Sequence, residues 1–347
     1  MGETGINTAA QGKKNYDSCD LLKFIFSILI FILHSNLFFG LSPKLIVASQ
    51  LASRGGVPFF FIASSYFLFS RQDGRGNISR DTLIKYLRRV LCLYLVWLVI
   101  NLSSIVYTKR AYNATMAEFL KTCLLSSSYS GSWFMQSCLF SALVIYLLSK
   151  RFSTRTILLL CAPVFLCYVL SSAYEPLLPA GVSAVLRWLV FPVNIFVGLF
   201  YFALGKWTAE HQEAIARIPL RLAWGLSALL FALFIGEVLL LRRAGIIGGS
   251  DAGFFLAPAA LLCFVAAVKS GRRIAHAKTL RKMSTIIYCC QGNALLFPNA
   301  IVRVFHLPGI HPLLAFALRA AAVAAIVLLT LYIQKKKPDC FFSRYAA

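Results

Sequence analysis

Residues 20–36 read Asp-Leu-Leu-Lys-Phe-Ile-Phe-Ser-Ile-Leu-Ile-Phe-Ile-Leu-His-Ser-Asn. Between Lys23 and His34 lie ten residues of which only Ser27 is polar. The apolar character continues through Phe38 and Phe39, and the window 20–40 is long enough to cross the hydrocarbon of a bilayer as a helix. It follows a polar stretch, 1–19, and lacks the small-x-small exit of a cleaved leader, so it reads as a retained first transmembrane helix.

Nine further windows of the same kind follow along the chain. The ten lie near 20–40, 55–70, 84–107, 132–149, 156–173, 185–205, 222–241, 252–268, 284–303 and 312–333. Breakers separate them, among them Asp73-Gly74, Gly248-Gly249-Ser250 and Leu307-Pro308-Gly309. Of the 347 residues 59% are hydrophobic and 14% are charged, against about a quarter charged in soluble domains. The expected fold is all-α: a polytopic transmembrane helical bundle of about ten helices, in one membrane domain spanning 20–333. A tail, 1–19, precedes it and a basic tail, 334–347, follows.

Lysine and arginine set the expected orientation. The N-terminal tail, the connections after even-numbered helices and the C-terminal tail hold 24 of the 35 basic residues, and the opposite connections hold nine. The richer side belongs in the cytoplasm. Both termini are therefore expected there, in the inner (plasma) membrane of the cell. The formal net charge of +23 is then accounted for by topology and anionic lipid headgroups. No basic-aromatic module points to nucleic acid. The ten cysteines form no Cys-x-x-Cys pair and the five histidines share no ligand spacing, so no metal site and no bound cofactor is expected.

Ionisable groups at membrane depth are costly and mark function. The first helix carries Asp20, Lys23 and His34. Eleven helical steps separate Lys23 from His34, which come to about 20° past three full turns, so both project from one face with roughly 16 Å between them along the axis. Ser27 lies on the same stripe, and Asp20 is one turn from Lys23, placed to pair with it. A neutral imidazole in a channel of low dielectric is a good general base. Farther along, Glu237 and Arg319 are candidates for an ion pair across helices, and Asn101, Gln136 and Asn194 for interhelical hydrogen bonds.

These residues carry a resemblance. Lys23 to His34 is similar to the basic-x10-His signature in the first helix of the acyltransferase-3 family, integral-membrane O-acyltransferases of bacterial surface glycans. Residues 54–71, RGGVPFFFIASSYFLFSR, resemble that family's second-helix pattern. The segment 79–97, SRDTLIKYLRRVLCLYLVW, resembles its Arg-Arg start of the third helix. GSWFMQSCLF (131–140) and MSTIIYCCQGNALLF (283–297) resemble its fourth-helix and late segments. Departures stand beside these likenesses. Lys23 replaces the usual Arg, Pro58 an Asp found in some members, Ser64-Ser65 a Ser-Gly, and Gln291 a late His.

The resemblance implies transfer of an acyl group, with acetyl as the expected one, from cytoplasmic acyl-CoA as co-substrate to a hydroxyl of a surface glycan or lipid-linked sugar. It implies His34 as catalytic base, with Lys23 and Asp20 supporting it. Lys23, Arg88 and Arg89 would hold the CoA phosphates. Arg54, Trp133, Ser65 and Gln291 would bind the acceptor. Two other readings stay open on the same residues. One is a transporter or exporter of a small amino acid or lipid-linked sugar, with Lys23 as gating charge and His34 as proton relay. The other is a family member that only supports an assembly partner.

Overall fold

The computed structural model describes residues 15–35, 37–38, 41–71, 77–111, 115–118, 120, 127, 129, 131–190, 196–246, 251–306 and 309–347. The breakers Asp73-Gly74 and Gly248-Gly249-Ser250, the pair Leu307-Pro308, Asn194 and residues 1–14 of the N-terminal tail lie outside the described residues. Helices occupy most of the rest: α1 Asp17–His34, α2 Pro43–Ser53, α3 Gly56–Phe69, α4 Arg80–Ile100, α5 Leu102–Ala111, α6 Ser132–Ser149, α7 Thr154–Ser172, α8 Ala180–Val190, α9 Gly198–Glu210, α10 Gln212–Arg217, α11 Leu220–Arg243, α12 Leu256–Lys269, α13 Ala277–Val304, α14 Pro312–Lys336 and α15 Phe341–Tyr345.

The helix starts follow local chemistry. Ser79 and Ser153 accept hydrogen bonds from the Thr82 and Thr156 amides at 3.1 and 3.3 Å, which caps α4 and α7. Proline opens α2 and α14, where a missing amide proton costs nothing. Lys335 and Lys336 sit in the last turn of α14, against its negative end.

Among the described residues each of the ten expected windows overlaps a helix, and together the helices form a polytopic transmembrane bundle. Among the described residues six stretches are long and apolar enough to span a membrane: Pro43–Phe69, Ser132–Ser149, Thr154–Ser172, Leu220–Arg243, Ala277–Val302 and Pro312–Lys336. The others depart for visible reasons. In α1 two acids and Lys23 interrupt the apolar run, α4 carries basic residues through its first half, and α12 is only 14 residues long. The window 84–107 is broken at Asn101, and the window 185–205 divides between α8 and α9. Large apolar side chains such as Leu159, Leu229, Leu240, Leu328 and Leu329 point outward, as lipid requires.

Inside, α1 packs along α13, α3 along α9, and α11 along α12, while α12 also backs α3. Helices α1 and α13 run parallel, since Asp20 meets Arg281 and three residues on Ser284 donates to the Lys23 carbonyl at 2.9 Å. The centre is aromatic, with Phe59, Phe61, Phe202 and Phe264 buried among tilted and edge-on rings. Small residues let the backbones approach. A Cβ on Gly205 would lie 2.5 Å from the Ile62 carbonyl oxygen, so α3 and α9 touch closely only because that position is glycine.

Asn101 is an interhelical bonder, as expected. Its amide donates to the Cys289 carbonyl at 3.0 Å and its oxygen accepts from the Asn293 amide at 3.1 Å. Those two backbone groups belong to a single turn of α13, which Asn101 thus pins to α4. Gly292 admits it, because a Cβ there would stand 2.6 Å from the Asn101 side-chain oxygen. Gln136 likewise reaches Tyr94 at 3.4 Å.

Other polar residues behave differently from the sequence reading. Glu237 does not pair with Arg319. Its carboxylate accepts from the Tyr174 hydroxyl at 2.7 Å and the Phe254 amide at 3.0 Å, whereas Arg319 donates to the Ser35 carbonyl just beyond α1. Lys206, placed among the loop cations by its sequence position, is buried in α9 and paired with Glu210 one turn on. The segment 334–347 is not a free tail. Its first residues continue α14, and α15 folds back against α4 and α14 so that the Ala346 carbonyl accepts from the Trp97 indole at 3.0 Å.

Candidate functional site

Three of the expected site residues meet at one cavity of about 250 Å³. His34, at the last position of α1, lines it together with Ile30 and Leu33. The corner between α2 and α3 contributes Ser53, Arg54, Val57 and Pro58. Trp133 enters from the first turn of α6, and Tyr168, Val197, Tyr201, Asp251 and Tyr288 complete the wall. Helical periodicity delivers His34, and a tertiary frame completes the rest.

That frame has three visible supports. Gly131 caps α6 with φ 85°, a left-handed conformation that favours glycine. Its carbonyl accepts the Tyr288 hydroxyl at 3.1 Å, and its missing side chain leaves room for the Tyr288 ring, 3.3 Å from where a Cβ would be. The turn that presents Trp133 is thereby tied to α13. Arg54 forms an ion pair with Asp251 at 2.5 Å across the cavity rim, joining the α2–α3 corner to the segment before α12. Arg319 fixes the chain immediately after His34 by its bond to Ser35.

The chemistry of the wall is specific. His34 is accessible, and among the described residues nothing hydrogen-bonds its ring, so the imidazole is available to a ligand. Its charged neighbours are Arg54 and Asp251. Four aromatic rings surround the space, and the Tyr201 hydroxyl is buried without a partner among the described residues. Rings with polar edges around a space too small for a large ligand suit one polar ring-shaped group.

The segment that follows Asp251 is in turn held by Glu237. The Glu237 carboxylate gathers the Phe254 and Phe255 amides at 3.0 and 3.5 Å, at the start of α12. Glu237→Gln keeps a neutral acceptor but loses the charge, which is expected to cost about 1–3 kcal/mol of stability. It should also weaken whatever ligand depends on Asp251. A thermal melt in detergent checks this, and an unchanged midpoint would show that the carboxylate does not hold the segment.

Lys23 leads to a different place. Its ammonium rests over the Phe67 ring, 4.9 Å from the centroid. Phe67 and Pro58 lie at opposite ends of α3, so the α1 face shared by Lys23 and His34 is the face against α3. Arg281 and Arg89 are charged neighbours of Lys23, and Arg71 is a further neighbour of Arg89. Asp20 is buried between two cations, with Lys23 its stronger charged neighbour and Arg281 forming an ion pair at 3.8 Å. A cluster of four cations with one paired acid is left facing a common region.

Three candidates fall elsewhere. Arg88 points away from this cluster, about 100° around α4 from Arg89, into a groove against α6. Ser65 is fully buried in the α3–α9 contact and donates to the Phe202 carbonyl at 2.5 Å. Gln291 is 1% exposed and is not part of the cavity wall, and neither of its amide atoms has a partner among the described residues. Sequence reasoning missed Asp251, Tyr168, Tyr201 and Arg281. Tyr288 stood in a segment already singled out, 283–297, as did Ile30 and Leu33 in 20–36 and Val57 and Pro58 in 54–71.

Comparison with known proteins adds one finding. A family model described as an acyltransferase domain, the third acyltransferase type, matches residues 16–333. The matched stretch takes in His34, Lys23 and every wall residue of the cavity. No curated protein and no solved structure matches the chain.

Proposed function

The chain belongs to the acyltransferase-3 family and is an acyltransferase of the membrane, and we propose that it transfers an acetyl group from cytoplasmic acetyl-CoA to a hydroxyl of a cell-surface glycan or its lipid-linked precursor. In this reading it works in the inner membrane with both termini in the cytoplasm.

One observation carries the proposal. A single face of α1 presents an unengaged imidazole to a small aromatic cavity at one end and a lysine to a cluster of cations at the other. The cations suit the phosphates of CoA. The rings of Trp133, Tyr168, Tyr201 and Tyr288 suit a sugar, with polar edges for its hydroxyls. The volume of about 250 Å³ favours a short acyl group over a long one. The axial distance between Lys23 and His34, roughly 16 Å, suits an extended pantetheine arm.

The reaction then needs little beyond positioning. His34 takes the proton of the acceptor hydroxyl as its oxygen attacks the thioester carbonyl. The tetrahedral intermediate collapses with cleavage of the C–S bond. The CoA sulfur leaves as a thiolate and takes the proton back from the imidazolium, and the ester remains on the sugar. Arg54 and Asp251 hold the cavity rim and offer the acceptor a donor and an acceptor group.

The test uses membrane vesicles of both orientations with acetyl-CoA labelled in its acetyl group. Inside-out vesicles, which expose the cytoplasmic face, should consume added donor and release one thiol per labelled acceptor. Sealed right-side-out vesicles should not. An acceptor that crosses the membrane unmodified, with no thiol released, would refute the proposal and identify a transporter.

A further inference from the structure

Helix α4 turns one stripe outward, made of positions 84, 88, 91, 95 and 99. Ile84, Leu91, Leu95 and Val99 are exposed apolar residues of the kind that lipid covers. Arg88 is exposed in the same stripe, two turns inside the helix start at Arg80. Among the described residues no acidic side chain pairs with it. A cation on a lipid-facing stripe is costly unless an anion meets it there.

The space beside Arg88 is shaped for such an anion and its attached chains. Residues Leu139, Phe140 and Leu143 of α6 stand opposite Ile84, Leu87 and Leu91, and the two helices enclose an open groove of about 420 Å³. Its wall is apolar apart from Arg88 and contains no acid. A guanidinium binds phosphate with two parallel hydrogen bonds, and an apolar trough binds acyl chains.

We propose that this groove is a binding site for an anionic phospholipid, its phosphate on Arg88 and an acyl chain along α4 and α6. The assignment separates Arg88 from Arg89. Arg89 faces Lys23 and Arg281 and belongs to the cation cluster, whereas Arg88 faces the bilayer. The single unmatched positive charge selects an anionic headgroup over a zwitterionic one.

Native mass spectrometry of the full chain, purified in mild detergent and exposed to phosphatidylglycerol or phosphatidylcholine, tests the site. The wild type should retain one phosphatidylglycerol in preference to phosphatidylcholine. Arg88→Gln should lower that retention about tenfold, the scale of one lost charge-assisted contact. Leu139→Trp keeps the charge and fills the groove, and it should lower retention of either lipid. Equal retention of the two lipids by the wild type, or retention unchanged by both variants, would overturn the proposal. So would displacement of phosphatidylglycerol by acetyl-CoA or by a lipid-linked sugar, or an Arg88→Gln variant whose KM for acetyl-CoA rises as far as that of Arg89→Gln.

Discussion

Replacing His34 with glutamine is expected to lower acyl transfer by about 10²–10⁴, the usual loss on removing a positioned base. Glutamine fills much of the same space and keeps hydrogen-bonding capacity, so α1 should still insert and the cavity should keep its wall. The helix end is independently held by Arg319 on Ser35, which is why a change at the last position of α1 should not unfold it. The pH profile separates a base from a spacer. A protonated imidazole cannot accept the hydroxyl proton, so wild-type activity should climb as pH rises through the titration range of His34 and then level off. The glutamine variant should be slow and lack that limb. The readout is mass spectrometry of O-acylated surface glycan in a strain deleted for the native gene. A His34→Gln protein, inserted at normal levels, that acylates at the wild-type rate would make His34 structural.

The sequence made some parts of this site legible and left others dark for a physical reason. Lys23 and His34 share a helix, so the helical repeat alone placed them on one face, and that face is the one α3 covers. The helical bundle was readable for the same reason, since hydrophobic length is a local property, and six of its helices are long and apolar enough to span a membrane. Contacts between distant segments were not. Arg54 and Asp251 are nearly two hundred positions apart, and nothing in either neighbourhood names the other. The one-turn spacing of Asp20 from Lys23 makes them charged neighbours, and the parallel packing of α1 on α13 adds Arg281 as a second cation that no local reading supplies. Arg88 and Arg89 read as a pair because they are adjacent, yet neighbours on a helix diverge by about 100°, enough to send one toward the cations and the other toward lipid. Ser65 carried a motif position but is used for close packing of α3 on α9.

Reversing the charge at Lys23 is expected to have the other large effect, and on the donor rather than the acceptor. In the wild type Asp20 lies near both Lys23 and Arg281, 3.8 Å from the latter, while the Lys23 ammonium rests on Phe67 and among the described residues forms no close ion pair. Its charge is therefore free to meet a phosphate. Losing one charge-assisted contact weakens binding by about 10- to 100-fold, and Lys23→Glu adds repulsion, both from the phosphates and from Asp20 one turn away. The KM for acetyl-CoA should rise by that factor or more, with the acceptor KM unchanged. Lys23→Met retains the apolar stem over Phe67 and should show the same direction without the repulsion. Salt provides a second readout. Screening should raise the wild-type KM as ionic strength increases, and the dependence should be shallower in the methionine variant, which has one cation fewer to screen. Lys23→Arg restores the charge and should recover donor affinity, which loss of fold would not allow. Acetyl-CoA binding to purified protein, measured by isothermal calorimetry at two salt concentrations, decides the matter. Equal affinities in wild type, Lys23→Met and Lys23→Glu would remove Lys23 from the donor site and return the cation cluster to a contact with lipid headgroups.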